Sequence, residues 1–594
     1  MKMPGPGDRG GKKEKPKNAR KSLRRLLKYM FEYAWVVLLL LICAFLSNIG
    51  NLLGPNYAGK AITAASAGKG MVDMQLVVHY GLIMLLVYVG SNLLSFLVNI
   101  GMMHVGRYVA RNMRRDVFNK LMELPVGYFD KHLAGDIISR VSYDIDVVST
   151  SLSSDVVQIL TSVVTVVGSF TMMCFVSPPL VLCMVFTIPA SILFTRYMSK
   201  KTRPLYRVRS LAYGEMNGFA EEMFTGQKTI LAYAHEDYVC DRFEEINRNA
   251  AEAYRDADGL GMTMGPTVGL INNIGLSAIG LGGALLYMNG IVGLGQISSF
   301  ILYSRKFSGP INEISNIVNE IFSALAAAER VFQLLDETEE VKDKVNAAIL
   351  VSAKGEVEVK DVEFGYLKNK AVIHDFNMLA NPGETVAIVG HTGAGKTTII
   401  NLLMRFYDPE KGAIYVDGKE NAAYTLKSLR KNYSMVLQDT WVFNGTIFDN
   451  IAYGKENATI EEVINAAKAA HIHNYIMRLP QGYDTVISED GGNISKGQKQ
   501  LITIARAMLY DTSMLILDEA TSNVDTATER KVQAAMRTLM AGKTCFIIAH
   551  RLSTIRNADN ILVMEHGDVI EQGNHDYLMA RKGAYYKLYS SQFE

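Results

Sequence analysis

The run Gly390-His391-Thr392-Gly393-Ala394-Gly395-Lys396-Thr397 has the residue types and spacing of a loop that cradles phosphates. Its three glycines let the backbone curl until several N–H groups point at one spot. Lys396 can reach β- and γ-phosphate oxygens, and the Thr397 hydroxyl can ligate Mg²⁺. The flanks agree. Thr385–Val389 is β-branched and apolar, and the residues from Thr397 and Thr398 to Met404 have helical spacing. A strand, a glycine loop and a helix N-terminus make an anion site. About 120 residues on, Met514-Leu-Ile-Leu-Asp518-Glu519 reads as an apolar strand ending in two carboxylates. Asp518 stands where such a fold holds its Mg²⁺, and Glu519 is placed to polarise a water facing the γ-phosphate.

The elements that must hold these groups form an α/β pattern over residues 355–594. Strand-like runs occur at 356–364, 385–389, 434–437, 514–517, 544–548 and 560–564, most with helical stretches between them. The preceding part is different. Hydrophobic residues make up 49% of the 594, and mean hydropathy is +0.10, too high for an ordinary soluble enzyme and too low for an all-membrane chain. Six apolar stretches, at 33–54, 76–103, 155–177, 179–198, 260–289 and 292–324, each approach the ~20 residues that cross a bilayer. The last two are glycine-rich and less purely apolar. The predicted division is a basic tail and elbow (1–28), a transmembrane domain (29–330), a linker (331–354) and a nucleotide domain (355–594).

Charge sets the expected orientation. Residues 1–28 hold eleven Lys/Arg against Asp8 and Glu14, and the long loops after the second and fourth stretches are basic. The short connections carry only Lys60 and Lys69. The long loops, both termini and the nucleotide domain are therefore expected in the cytoplasm. A basic block directly before an apolar run reads as a cytoplasmic tail, not a nucleic-acid arm. With no small-residue cleavage site behind it, a removable signal peptide is not expected. The scattered Cys43, Cys174, Cys183, Cys240 and Cys545 fit neither a disulfide frame nor a metal site.

Asn493-Ile494-Ser495-Lys496-Gly497-Gln498 resembles the signature loop of the ATP-binding cassette family, usually L-S-G-G-Q, and the resemblance covers nearly the whole chain. Ser495, Gly497 and Gln498 match; Ile494 and Lys496 depart. Before the helix that follows, Ser495 should be an N-cap with outward-facing N–H groups. The resemblance implies that this loop closes on nucleotide held by a second subunit. It also implies adenine stacking by Tyr366, Mg²⁺ sensing by Gln438, a crossing loop at Ser522–Asp525 and a γ-phosphate switch at His550. Glu489 falls in a short acidic loop, and Tyr128–Asp130 with Gly135, Asp136 and Arg140 resembles the first cytoplasmic loop of exporters.

What the resemblance implies is a six-helix all-α transmembrane domain with long cytoplasmic helical extensions, fused to an α/β P-loop NTPase domain. Two such halves export lipophilic or amphipathic compounds by alternating access, driven by ATP with Mg²⁺. Lipid or glycolipid flipping is the alternative, and an ATP-gated channel is a third reading. Lys496 in the signature, with Asn523-Val524 in place of the more usual Ala-Leu, resembles the catalytically complete half of heterodimeric bacterial multidrug exporters. The partner is then a different chain with a degenerate site. The substrate is poorly written. Met84, Met102, Met103, Met172, Met173, Met184, Met262 and Met264 suit either an adaptable apolar pocket or plain packing. Arg305 and Lys306 either face the cavity or pair with Glu313 or Glu320.

Overall fold

A computed structural model describes residues 18–66, 72–367, 370–438, 440–488, 493–518, 525–549 and 555–591, the side chains of 183, 185–188 and 311–316 excepted. The chain divides into two units. One is Met1–Leu124 with His132–Thr338; the other is Pro125–Lys131 with Glu339–Glu594.

The first unit is helical. An elbow helix α1 (Ala19–Phe31) precedes α2 (Ala34–Ala65), α3 (Met74–Met122), α4 (Ala134–Val176), α5 (Pro178–Thr225), α6 (Glu236–Met288) and α7 (Leu294–Leu335). Among the described residues α2, α3, α4 and α6 are long and apolar enough to cross a membrane. The fifth apolar stretch, weak in the sequence, qualifies as part of α6. The remaining two expected spans lie on α5 and α7. Both α3 and α5 run about twenty residues or more past their apolar parts, as their proline-poor charged segments lead one to expect. Helix α7 carries on through Leu335, since Val331, Phe332 and Leu334 are buried.

Helix packing here answers to backbone chemistry. Pro55 interrupts the hydrogen-bond ladder of α2 because it has no N–H. Side chains of α7 meet the carbonyls around it: Ser299 donates to the Pro55 oxygen at 2.8 Å and Tyr303 to that of Leu52 at 2.6 Å. The approach is close because Gly59 and Gly295 face each other; a Cβ on Gly295 would lie 2.0 Å from the Gly59 carbonyl oxygen. Of the methionines noted above, Met102, Met173 and Met184 are buried in this packing, whereas Met103 and Met262 are exposed.

Far along α7, Arg330 grips Asp144 with two parallel bonds of 2.9 and 2.6 Å. Asp144 ends a wide, π-type turn of α4 (Arg140–Asp144) and is only 2% exposed.

The second unit carries two main sheets and a small antiparallel ribbon of β7 (Gly445–Thr446) with β8 (Val486–Ile487). The six-stranded one runs β12-β11-β3-β10-β9-β6, from β3 (Thr385–Gly390), β6 (Tyr433–Val436), β9 (Met514–Asp518), β10 (Thr544–Ile548), β11 (Asn560–Glu565) and β12 (Asp568–Gly573). All but the edge strand β12 pair in parallel. A four-stranded antiparallel sheet runs β2-β1-β4-β5, from β1 (Val357–Phe364), β2 (Ile373–Ala380), β4 (Lys411–Val416) and β5 (Lys419–Glu420). Strand alternation builds two cores. Val386 and Ile388 join the antiparallel sheet, and Ala387 and Val389 face α9 (Lys496–Tyr510) and α10 (Thr526–Met540). The six sequence-expected strands are present: β10 has the expected bounds, and β1, β3, β6, β9 and β11 are each shifted, shortened or extended by one residue. Strands β2, β4, β5 and β12 were not expected, because polar residues interrupt their alternation and they form edge or half-exposed strands.

The Arg330–Asp144 pair gives an ordered expectation. Arg330→Ala leaves a buried carboxylate unpaired and should cost about 3–5 kcal/mol. Asp144→Asn removes the buried charge and leaves a half-exposed guanidinium that water can reach, so it should cost less. Thermal melts of the two variants in detergent check the order.

Candidate functional site

The phosphate loop sits at the carboxyl edge of the parallel sheet. Register aligns the rows: Val436 opposes Leu517, Leu517 opposes Ile547, and Ile547 opposes Ala387. One residue further along, Asp518 faces Ile548, which faces Ile388. The ends of β3, β9 and β6 thus deliver Gly390, Asp518 and Gln438 to one rim, where ligands bind in open α/β sheets. Glu519 and His550 lie outside the described residues, as do Glu489 and residues 522–524.

The glycines answer to different constraints. A Cβ on Gly390 would fall 2.3 Å from the Met564 carbonyl oxygen, so the loop leaves β3 hard against β11. Gly395, the residue before α8 (Lys396–Leu403), has φ +100°, a left-handed value that a side chain resists. His391, Thr392 and Gly393 are exposed, so the loop presents its backbone to the ligand side, and Ala394 is buried beneath. Lys396 folds over this loop. Its ammonium donates to the Gly390 and His391 carbonyl oxygens at 2.7 and 3.0 Å. Burial lowers the lysine's pKa, and the Asp518 carboxylate works in the opposite sense. Asp518 is thus near enough to feel the ammonium. Thr397 is exposed on the first turn of α8 and Thr398 is buried. The hydroxyl, carboxylate and amide oxygens of Thr397, Asp518 and Gln438 are hard donors of the kind Mg²⁺ prefers.

Ser495 is the N-cap of α9. Its Oγ accepts from the Gln498 N–H at 3.3 Å, and the Gln498 Oε1 accepts from the Ser495 N–H at 2.9 Å. This reciprocal box was legible as S-x-x-Q. Ser495 and Lys496 are exposed, and Gly497 is buried. Sequence reasoning missed the part of Asn493. Its Oδ1 accepts from the Ser488 N–H and its amide donates to the Val486 carbonyl, so it ties the signature loop back to the short strand Val486–Ile487.

Tyr366 lies beside the loop helix. Its hydroxyl donates to Thr398 Oγ1 at 3.2 Å and accepts from the Asn401 amide at 3.1 Å. Its ring meets that of Tyr407 edge-on, with centroids 5.1 Å apart. Tyr407, also missed, donates in turn to Asp130 on the short helix Val126–Lys131. Burial and that carboxylate both raise its pKa. Gly127 allows the approach, since a Cβ there would touch the Tyr407 ring at 3.0 Å. Beyond Gln438 a hollow of about 400 Å³ is lined by Leu437, Trp441, Tyr453 and Arg506 among others, with the Arg506 guanidinium over both aromatic rings.

Gly390 supplies the test of the loop geometry. Gly390→Ala puts a methyl group into the Met564 carbonyl, and backbone must move on both strands. It should abolish binding of a fluorescent ATP analogue and lower the melting temperature. Nucleotide affinity close to that of the wild type would contradict the packing described.

Residues 37–311 match the ABC transporter transmembrane region family and residues 373–522 the ABC transporter family. The chain is 41% identical to the uncharacterized ABC transporter ATP-binding protein YfiC of Bacillus subtilis, over 98% of this chain and 96% of that one. It is 45% identical to a fatty acid ABC transporter ATP-binding/permease protein of Mycobacterium bovis, over 80% and 75%. An ATP-dependent lipid A-core flippase of Methylobacillus flagellatus is 35% identical over 97% of each. A solved structure of a bacterial Atm1-family ABC exporter with ATP bound superposes with TM-score 0.75 at 29% identity, covering 95% of this chain and 98% of that one. Its membrane and nucleotide-binding parts fused in one polypeptide, this chain belongs to the ABC exporters, whose ATP hydrolysis is coupled to transport.

Proposed function

We propose that the chain exports lipophilic or amphipathic compounds across the cytoplasmic membrane, as the catalytically complete half of a heterodimer. The observation that carries the reading is the phosphate loop, fused in one chain to the helical unit and accompanied by an outward-facing signature cap. The basic long loops support a cytoplasmic nucleotide domain and cytoplasmic termini. Flipping of a lipid between leaflets is the second reading, favoured by the resemblance to a lipid A-core flippase.

In this reading ATP lies along the rim of the parallel sheet. Tyr366 stacks on adenine. The amides of residues 390–398 and Lys396 hold the phosphates, so Lys396 exchanges its carbonyl partners for phosphate oxygens. Thr397, Asp518 and Gln438 would hold Mg²⁺, which supplies charge neutralisation on the phosphates. Glu519 orients the attacking water and takes its proton, and His550 contacts the γ-phosphate. Ser495 accepts its capping bond on Oγ and so keeps its own O–H for a phosphate oxygen. With the first amides of α9 it forms an anion-binding end. That end serves nucleotide on the partner subunit, so ATP joins the two halves and its hydrolysis releases them.

Lys496 supports the heterodimer. It puts a long exposed side chain on the first turn of α9, where the usual signature has glycine. The altered signature caps the partner's slow site, while this chain's own site turns over.

Two substitutions test both points. Glu519→Gln should lower steady-state ATPase by about 10²–10⁴-fold, the contribution of a general base, and leave ATP binding intact. Retention of a third of the activity would sink that assignment. Ser495→Ala should spare much of the turnover in the assembled exporter, because it touches only the slow site. If the chain alone forms a fully active dimer, and Ser495→Ala there is as damaging as Glu519→Gln, the assembly is a homodimer.

A further inference from the structure

Within the helical unit, α4 and α7 leave between them a hollow of about 470 Å³, lined by Ile159, Ser162, Val163, Val166 and Val167 of α4 and Ile317, Val318 and Ile321 of α7. Among the described residues no charged side chain lines it. Val163, Val167 and Val318 are exposed, so the hollow is open. One turn above Val167, Phe170 packs against Phe307. The neighbour of Phe307 is Lys306, half-buried, twelve residues into α7 and so about 18 Å from its start. That depth lies well inside a hydrocarbon core of about 30 Å. Lys306 is turned only about 20° from Ile317 around the helix axis, so cation and hollow share one face of α7. No carboxylate among the described residues pairs with Lys306. Glu320, exposed on α7, is fourteen residues and about 21 Å further along.

A charge at this depth is costly unless water, a protein partner or a ligand meets it. We propose that the transported compound is an anionic amphiphile, its acyl chain lying in the hollow and its carboxylate or phosphate head meeting Lys306. This rests on the export reading above and narrows its substrate class. The apolar wall takes chains of any headgroup; the half-buried ammonium selects the sign of the head. An anionic head gains a charge-assisted hydrogen bond, and a cationic head meets repulsion.

The test uses the assembled exporter in phosphatidylcholine vesicles and reads the concentration that half-maximally stimulates ATP turnover. The probes share a sixteen-carbon chain: palmitate, hexadecyl phosphate, hexadecanol and hexadecyltrimethylammonium. Palmitate or hexadecyl phosphate should stimulate at the lowest concentration, and comparison of the two tells carboxylate from phosphate. Lys306→Gln should raise that concentration about tenfold, the loss of one charge-assisted bond, and Lys306→Arg should restore most of it. Val163→Trp, which fills the hollow, should raise it for every chain that still binds.

Equal responses to all four headgroups, or an unchanged response in Lys306→Gln, overturn the proposal. So does a role for Lys306 in neutralising Glu313, in which case Glu313→Gln and Lys306→Gln lower the melting temperature alike and neither moves the half-maximal concentration. If Val163→Trp blocks subunit assembly instead of shifting that concentration, the hollow is covered by the partner and the proposal falls. Transport of neutral or cationic amphiphiles without anions leaves export standing and removes this inference. Active ATP turnover with no amphiphile moved or sensed removes the export reading itself.

Discussion

The nucleotide unit is organised by one requirement, that several backbone N–H groups converge on a single small volume. A phosphate chain carries more negative charge than one lysine can meet, and amides held by the fold need no reorganisation to meet the rest. Convergence demands a sharp exit from β3, which is why Gly390 lies against the Met564 carbonyl with no room for a side chain. It demands a left-handed residue before α8, met by Gly395. It demands a rigid rim, supplied by parallel strands buried on both faces. The two cores on either side of β3 are therefore part of the site's precision: they fix where Asp518 and Gln438 stand relative to the loop.

The helical unit obeys a different rule with the same root. A backbone polar group in hydrocarbon has no water to fall back on. Pro55 breaks the ladder of α2, and beside it Ser299 and Tyr303 reach across from α7 to the carbonyls of Pro55 and Leu52. Gly59 and Gly295 bring the two helices close enough for those short reaches. The same economy makes the Arg330–Asp144 pair bidentate, since a carboxylate at 2% exposure needs both of its oxygens met. Lys306 stands apart from this pattern, and its lack of a described protein partner is what draws attention to a ligand.

Ser495 shows how a local motif can point beyond its own chain. The box with Gln498 satisfies the helix end internally, yet Ser495 and Lys496 stay exposed, and the serine oxygen accepts its capping bond without using its own proton. In the proposed reading such an end is complete as structure and becomes a site only with nucleotide held by the partner subunit. That is the physical content of a transporter that works in pairs.

By itself the sequence determined the parts whose logic is local. The glycine loop needs only backbone freedom at fixed spacing. Asp518 follows from a strand that runs out in carboxylates, and Ser495 from S-x-x-Q before a helix. The apolar stretches follow from bilayer thickness, since each needs about twenty residues. Tertiary structure decided what depends on residues far apart. Tyr407 meets Asp130 across 277 positions, and Arg330 meets Asp144 across 186. The antiparallel strands β2 and β4 take their pairing from β1, and their own polar-interrupted pattern announces no strand. Periodicity and turn chemistry act over a few residues and so can be read along the chain. Pairing of side chains across the core depends on the path of the whole chain, and only the folded molecule fixes it.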